Sequence, residues 1–188
     1  MDSDDEGDTS VLGRHDHWES VYTRELSNLR QHGDRGEVWF GDAVLQATAD
    51  FAKQQLSCHP HRDISSARVL DVGTGNGTLA LELRKRAFQH ITGSDYSERS
   101  VELAREVALQ AGEGDITWVG DDILNTQLQS GWDMILDKGT LDAIGLRSDA
   151  DCTQFEYVDY VRTYPVFQFG GQEGSRVCTV AFKKKMQG

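Results

Sequence analysis

The chain has 188 residues, 38% of them hydrophobic, which suits one domain with its own core. Its 31 acidic against 19 basic side chains give a formal charge of -12, which excludes a general nucleic-acid binder, because that needs a basic footprint. No apolar run approaches the roughly 18 residues of a membrane-spanning helix, and three widely spaced cysteines (Cys58, Cys152 and Cys178) read as reduced thiols, not a disulfide framework. The acidity has two readings: steering towards a basic partner such as a basic protein, or solubility alone. The polar, acidic N-terminus is unlike a secretory or mitochondrial leader, so the expected location is cytoplasmic, with the nucleus as a second compartment.

Residues 1 to 13 hold five acids and little that could pack, and read as a disordered acidic tail. Residues 14 to 66 read as a helical cap. From His15 to about Gln31, Trp18, Tyr22, Leu26 and Leu29 recur at helical spacing. Gly33 and Gly36 break the chain before Val38-Trp39-Phe40-Gly41, and a second helix spans about Asp42 to Leu56. Ser57 to Ser66 reads as a linker with one of the two prolines. His15-x-His17 and His59-x-His61 lack the companions of a metal site, and no metal is expected.

Residues 67 to 188 read as an α/β core. The segment Val69-Leu70-Asp71-Val72-Gly73-Thr74-Gly75-Asn76-Gly77 delivers a buried strand to a tight turn, and a helix follows from Thr78 to about Ala87. That is the first βα turn of a nucleotide-binding sheet. A dinucleotide fingerprint would place its third glycine at position 78, which is Thr. The motif instead carries Asp71 two residues before the first glycine. A carboxylate there suits an ammonium and repels a phosphate, so the implied ligand is S-adenosylmethionine. The bland alternative is a glycine turn without a ligand.

His90 to Asp95 reads as a second strand. Asp95, 18 residues beyond Gly77, is placed to accept the ribose hydroxyls, or simply to precede a helix capped by Ser97. That helix runs to about Gln110 and ends at Gly112 and Gly114. Ile116 to Val119 is a third strand. Asp122 with Ile123 reads as an adenine clamp or as a helix cap. Trp132 to Leu136 is a fourth strand, and Asp137 after it lines an acceptor pocket or caps the next turn. A helix at about 152–161 and two closing strands, Val166 to Phe169 and Arg176 to Phe182, complete the chain as an antiparallel hairpin.

With Asp71 to Gly77, Asp95-Tyr96-Ser97 and Asp137-Lys138-Gly139-Thr140-Leu141-Asp142 together, the chain resembles the class I, seven-stranded S-adenosylmethionine-dependent methyltransferases, which have a Rossmann-like sheet. More narrowly, it resembles the lysine methyltransferases of translation elongation factor 1-alpha. His17-Trp18-Glu19 to Tyr22, Gly36 to Gly41 and Phe167 to Gly171 carry that closer likeness. The resemblance runs from about His15 to Lys183. It implies a monomeric enzyme that methylates a lysine of the factor and binds neither nucleic acid nor membrane. It also implies that Asp71, Gly73, Gly75, Gly77, Asp95, Tyr96, Asp122 and Ile123 hold the cofactor under a cap formed by Trp39 and Phe40. Trp39 and Phe40 read equally as an ordinary core pair. Asp137 is the candidate catalytic residue, positioning the amine.

One departure stands out. Relatives continue past the helix near Val161 with a fifth strand and a further helix, whereas here Tyr160-Val161 runs straight to Tyr164-Pro165-Val166. A missing fifth strand would leave strand four with an open edge. The alternatives to the enzyme are therefore a shortened form that binds cofactor or partner without catalysis, and a small-molecule methyltransferase.

Overall fold

A computed structural model describes residues 10–58, 63–147, 166–168 and 179–183. Helix α1 (His15–His32) buries Trp18, Leu26 and Leu29 on one face. It ends at Gly33, whose left-handed φ of 73° lets its N–H return to the Leu29 carbonyl at 2.9 Å. Helix α2 (Gly41–Ser57) buries Leu45, Ala49, Ala52 and Leu56 at helical spacing.

The core runs β1 (Arg68–Val72), α3 (Thr78–Arg84), β2 (His90–Asp95), α4 (Glu98–Gln110), β3 (Thr117–Gly120), β4 (Met134–Lys138), α5 (Thr140–Ile144), β5 (Val166–Gln168) and β6 (Thr179–Lys183). The Ser97 hydroxyl accepts the Ser100 N–H at 3.1 Å and caps α4. The sheet order is β3-β2-β1-β4-β6-β5. The first four strands are parallel, and β6 is antiparallel to both β4 and β5. Successive residues of β1 feed opposite faces. Val69 joins Leu79, Leu83, Leu103 and Leu136 under α2, α3 and α4. Leu70 and Val72 join Ile123, Ile135 and Ile144 on the other face. Burial on both faces explains the unbroken apolar run of β1. The parallel arrangement brings the ends of β1, β2 and β4 level, with Val72 opposite Ser94 and Asp137.

Several expectations change. Val11–Gly13, placed in the tail, form a 3-10 turn because the Trp18 indole donates to the Leu12 carbonyl at 2.8 Å. The helix after the glycine turn stops at Arg84, and Ala87 takes a left-handed φ of 73°. The short α5, unforeseen in the sequence, follows β4 directly. Strand β4 has no open edge: Met134 to Lys138 pair with Lys183 to Thr179 of β6, whose backbone groups satisfy it. The tail at 1–9, His59, His61 and the helix expected at 152–161 lie outside the described residues.

Candidate active site

A cavity opens where β1, β2 and β4 end, below the cap. Gly73 and Gly75 turn the chain there with φ of 61° and 57°, a conformation that side chains with a Cβ rarely adopt. Both line the cavity, as do Trp39, Asp95, Tyr96, Asp122 and Ile123. Asp71, Gly77, Phe40 and Asp137 do not form its lining.

Gly77 has another use. A Cβ there would lie 2.7 Å from the Trp118 ring and 3.0 Å from the Ala104 Cβ, so this glycine lets α3 approach α4 and β3. Asp71 lies just beneath the turn, 2% exposed, and its Oδ2 accepts the Thr74 hydroxyl at 2.7 Å. Burial pushes its carboxyl up to about 7, while the Thr74 hydroxyl and the Lys138 ammonium pull it down. Asp95 precedes the helix capped by Ser97, as one of its sequence readings had it, and it also lines the cavity. Its Oδ2 accepts the Gly75 N–H and its Oδ1 the Ser97 N–H, each at 3.0 Å, and it still belongs to the cavity wall. Burial pushes its carboxyl up too, against the pull of those two N–H groups. Asp122 likewise caps a 3-10 turn at Ile123–Asn125, accepting the Leu124 N–H at 3.0 Å, while lining the cavity beside Ile123.

Asp137 is fully buried. Its Oδ1 accepts the Gly139 and Thr140 N–H groups at 2.9 and 2.8 Å, and its Oδ2 accepts the Leu141 N–H at 3.0 Å. This is the capping alternative of the sequence reading. The carboxylate shapes the turn behind the cavity, and Thr140 and Gly139 of that turn reach the wall.

The opposite wall is aromatic. Trp18 stacks on Tyr22 at 5.9 Å between centroids and meets Trp39 edge-on at 4.8 Å. His15 meets Tyr96 edge-on at 4.7 Å. Phe40 stands behind Trp39 and takes a left-handed φ of 63° at the start of α2. The cap is fastened to the glycine turn by Asn76, whose amide donates to the Arg35 and Glu37 carbonyls at 3.1 and 3.0 Å. The Glu25 carboxylate accepts the Glu37 N–H at 3.2 Å.

Sequence reasoning missed Trp18, Tyr22 and Glu25 as cavity residues. Trp18 and Tyr22 stood on a helical apolar stripe, where core and cavity wall share one period. Glu25, beside that stripe, was the available signal, because an acid facing a core needs a purpose. Lys138 and Arg147 also line the cavity.

The residues present fit S-adenosylmethionine. Buried acid lies under the turn, a second acid ends β2, an aliphatic residue stands beside Asp122, and a carbon-rich wall closes the far side. Such a cavity at the carboxyl ends of parallel strands, at the switch in strand order, is the ligand site of an open, nucleotide-binding α/β sheet.

Comparison with known proteins gives the same class. A methyltransferase domain model matches residues 64–154. EEF1A lysine methyltransferase 2 of Homo sapiens is 32% identical over 213 aligned residues, covering 93% of this chain and 87% of its own. Protein-lysine N-methyltransferase EFM4 of Saccharomyces cerevisiae is 34% identical over 222, covering 94% and 96%. The crystal structure of magnesium protoporphyrin IX methyltransferase from Synechocystis PCC 6803 with bound SAM shares the fold, with a TM-score of 0.53 at 18% identity over 88% of this chain and 97% of its own. The chain belongs to the protein-lysine methyltransferase family of the human and yeast relatives. The alignment to the human relative spans 213 positions against 188 residues here, so that relative carries residues with no counterpart in this chain.

Proposed function

We propose that this chain transfers methyl groups from S-adenosylmethionine to a lysine of translation elongation factor 1-alpha. The observation that carries this reading is near-complete coverage at 32% identity by a relative named for that reaction. When bound, the cofactor supplies an electrophilic methyl group. Asp71 would balance its ammonium, Asp95 accept its ribose hydroxyls, and Asp122 with Ile123 hold its adenine against Gly73 and Gly75. Tyr96 would close the ribose side.

A free lysine, with pKa about 10.4, is mostly protonated near neutrality. The aromatic wall of Trp18, Tyr22 and Trp39 favours the neutral amine by desolvation. Asp137 would act through the turn it caps, fixing Gly139 and Thr140 at the wall. No nucleophilic side chain is needed, and alignment of the two reactants supplies up to about 7–11 kcal/mol of the acceleration. The cytoplasm, on the reduced-thiol pattern of the sequence, and a monomeric state belong to the same proposal.

Incubation with S-adenosylmethionine and recombinant elongation factor 1-alpha, followed by peptide mass mapping, is expected to place methyl groups on a lysine of the factor. Methylation of small amines alone would contradict the protein substrate.

A second reading rests on the residues that the human relative carries and this chain lacks. We place that gap after Val161, where the family's fifth strand would fall. Direct pairing of β6 with β4 supports a gap at that place, and binding of cofactor or partner without transfer would then be the activity that remains.

A further inference from the structure

The turn Val11–Gly13 adds no residue to the buried core, and Val11 is 53% exposed. It is nevertheless closely held. The Ser10 carbonyl accepts the Gly13 N–H at 3.1 Å, the Val11 carbonyl accepts the Arg14 N–H at 3.1 Å, and the Ser10 hydroxyl accepts the Leu12 N–H at 3.4 Å. Leu12 and Gly13 line the cavity.

The turn is fastened from two sides. The Trp18 indole N–H donates to the Leu12 carbonyl at 2.8 Å. Gly13 sits on the chain just past α5: a Cβ there would come within 2.5 Å of the Leu146 carbonyl oxygen and 2.7 Å of the Arg147 nitrogen. Backbone does not yield to a methyl group as the end of a flexible side chain does. The seat therefore calls for glycine, which lets two stretches of main chain approach closely.

The neighbours of the turn show which part of the cavity it covers. Ile144 and Arg147, at and beyond the end of α5, line the cavity with it, and Ile144 shares an apolar cluster with Ile123. On the other side His15, just beyond the turn, meets the Tyr96 ring edge-on at 4.7 Å, and its Nε2 lies 3.4 Å from the Tyr96 carbonyl oxygen. Ile123 and Tyr96 stand on the adenosine half of the site.

We propose that the turn Val11–Gly13 is a strap over the adenosine half of the bound cofactor, with Leu12 as its contact, and that its opening sets how fast the cofactor leaves. The inference rests on the cofactor site assigned above. A segment held by the Trp18 hydrogen bond and the Gly13 seat, and contributing nothing to the core, opens locally without disturbing the fold. Opening of such an element limits ligand release in many enzymes.

The test compares the wild-type chain with Gly13→Ala, which unseats the turn, and Leu12→Ala, which removes its contact. Calorimetry gives affinity, and a chase of tritiated S-adenosylhomocysteine with excess unlabelled S-adenosylhomocysteine gives the release rate. Methylthioadenosine, which has the adenosine but not the amino-acid arm, is the second probe. Both variants are expected to melt with the wild type when ligand-free. Each is expected to bind both probes about three- to tenfold more weakly and to release S-adenosylhomocysteine faster by a similar factor. Should Gly13→Ala melt lower, Leu12→Ala carries the readout alone. Affinity and release unchanged in both variants overturn the strap. A loss confined to S-adenosylhomocysteine, with methylthioadenosine unaffected, overturns its place over the adenosine. A wild type that binds neither probe overturns the cofactor site itself.

Discussion

Burial makes the Asp71 carboxyl a group that titrates near neutrality. That carboxyl, at about 7 in the fold, lies above the unfolded value of about 3.9. The folded, ligand-free chain therefore binds this proton more tightly, and stability linked to the group falls as pH rises from about 4 to 7. Affinity for a ligand bearing an ammonium moves the other way, rising through neutrality as the carboxylate forms. Calorimetry is expected to find S-adenosylhomocysteine affinity weakening by up to about tenfold per pH unit below neutrality, and Asp71→Asn weak and flat. A wild-type profile that is flat over that range would contradict the assignment. Asp137 behaves differently because its oxygens are spent on three backbone N–H groups. Asp137→Ala leaves those donors buried and is expected to lower unfolding free energy by at least about 2 kcal/mol in denaturant titration. Unchanged stability would return Asp137 to a purely catalytic reading. The sequence showed that an acid ends each strand, yet which acids face a ligand and which face the backbone depends on the local turn. Both uses draw on the same residue type after the same apolar run.

At the scale of elements, the strand–turn–helix around Asp71 to Gly77 was legible, because its signals are local: an apolar run, alternate glycines and a helical period. The cap was only half legible. The period of α1 was plain, but nothing in it distinguished a stripe facing a core from one facing a cavity. The 3-10 turn at Val11–Gly13 forms through a contact with Trp18, and acidic composition upstream gave no sign of it. Gly77 carries a test at this scale. Gly77→Ala pushes a methyl group into Trp118 and Ala104 at a left-handed φ of 76°. Overpacking typically costs about 1–3 kcal/mol. The variant is expected to melt several degrees lower while still binding S-adenosylhomocysteine, since the residue is outside the cavity lining. A variant with normal melting and lost binding would instead make Gly77 a ligand-contacting residue, as the family motif suggested.

Across the whole molecule, the succession of four strands and a closing hairpin along the chain was readable from hydrophobic pattern, whereas their order in the sheet was not. The pairing of β6 with β4 was not, because strand partners are set by which edges remain open, a property of the assembled sheet. An open strand edge is a strong site for pairing, and β6 takes that of β4. The cavity is lined by the cap and the ends of β1, β2 and β4 among the described residues. Cofactor binding is therefore expected to be intact, and methyl transfer is the decisive question. The direct measurement uses purified chain, tritiated S-adenosylmethionine and recombinant elongation factor 1-alpha, with a full-length relative as control. Label on a lysine of the factor, abolished by Asp71→Asn, is the expected result; no label beside an active relative would contradict the transferase reading and leave a binding module in its place.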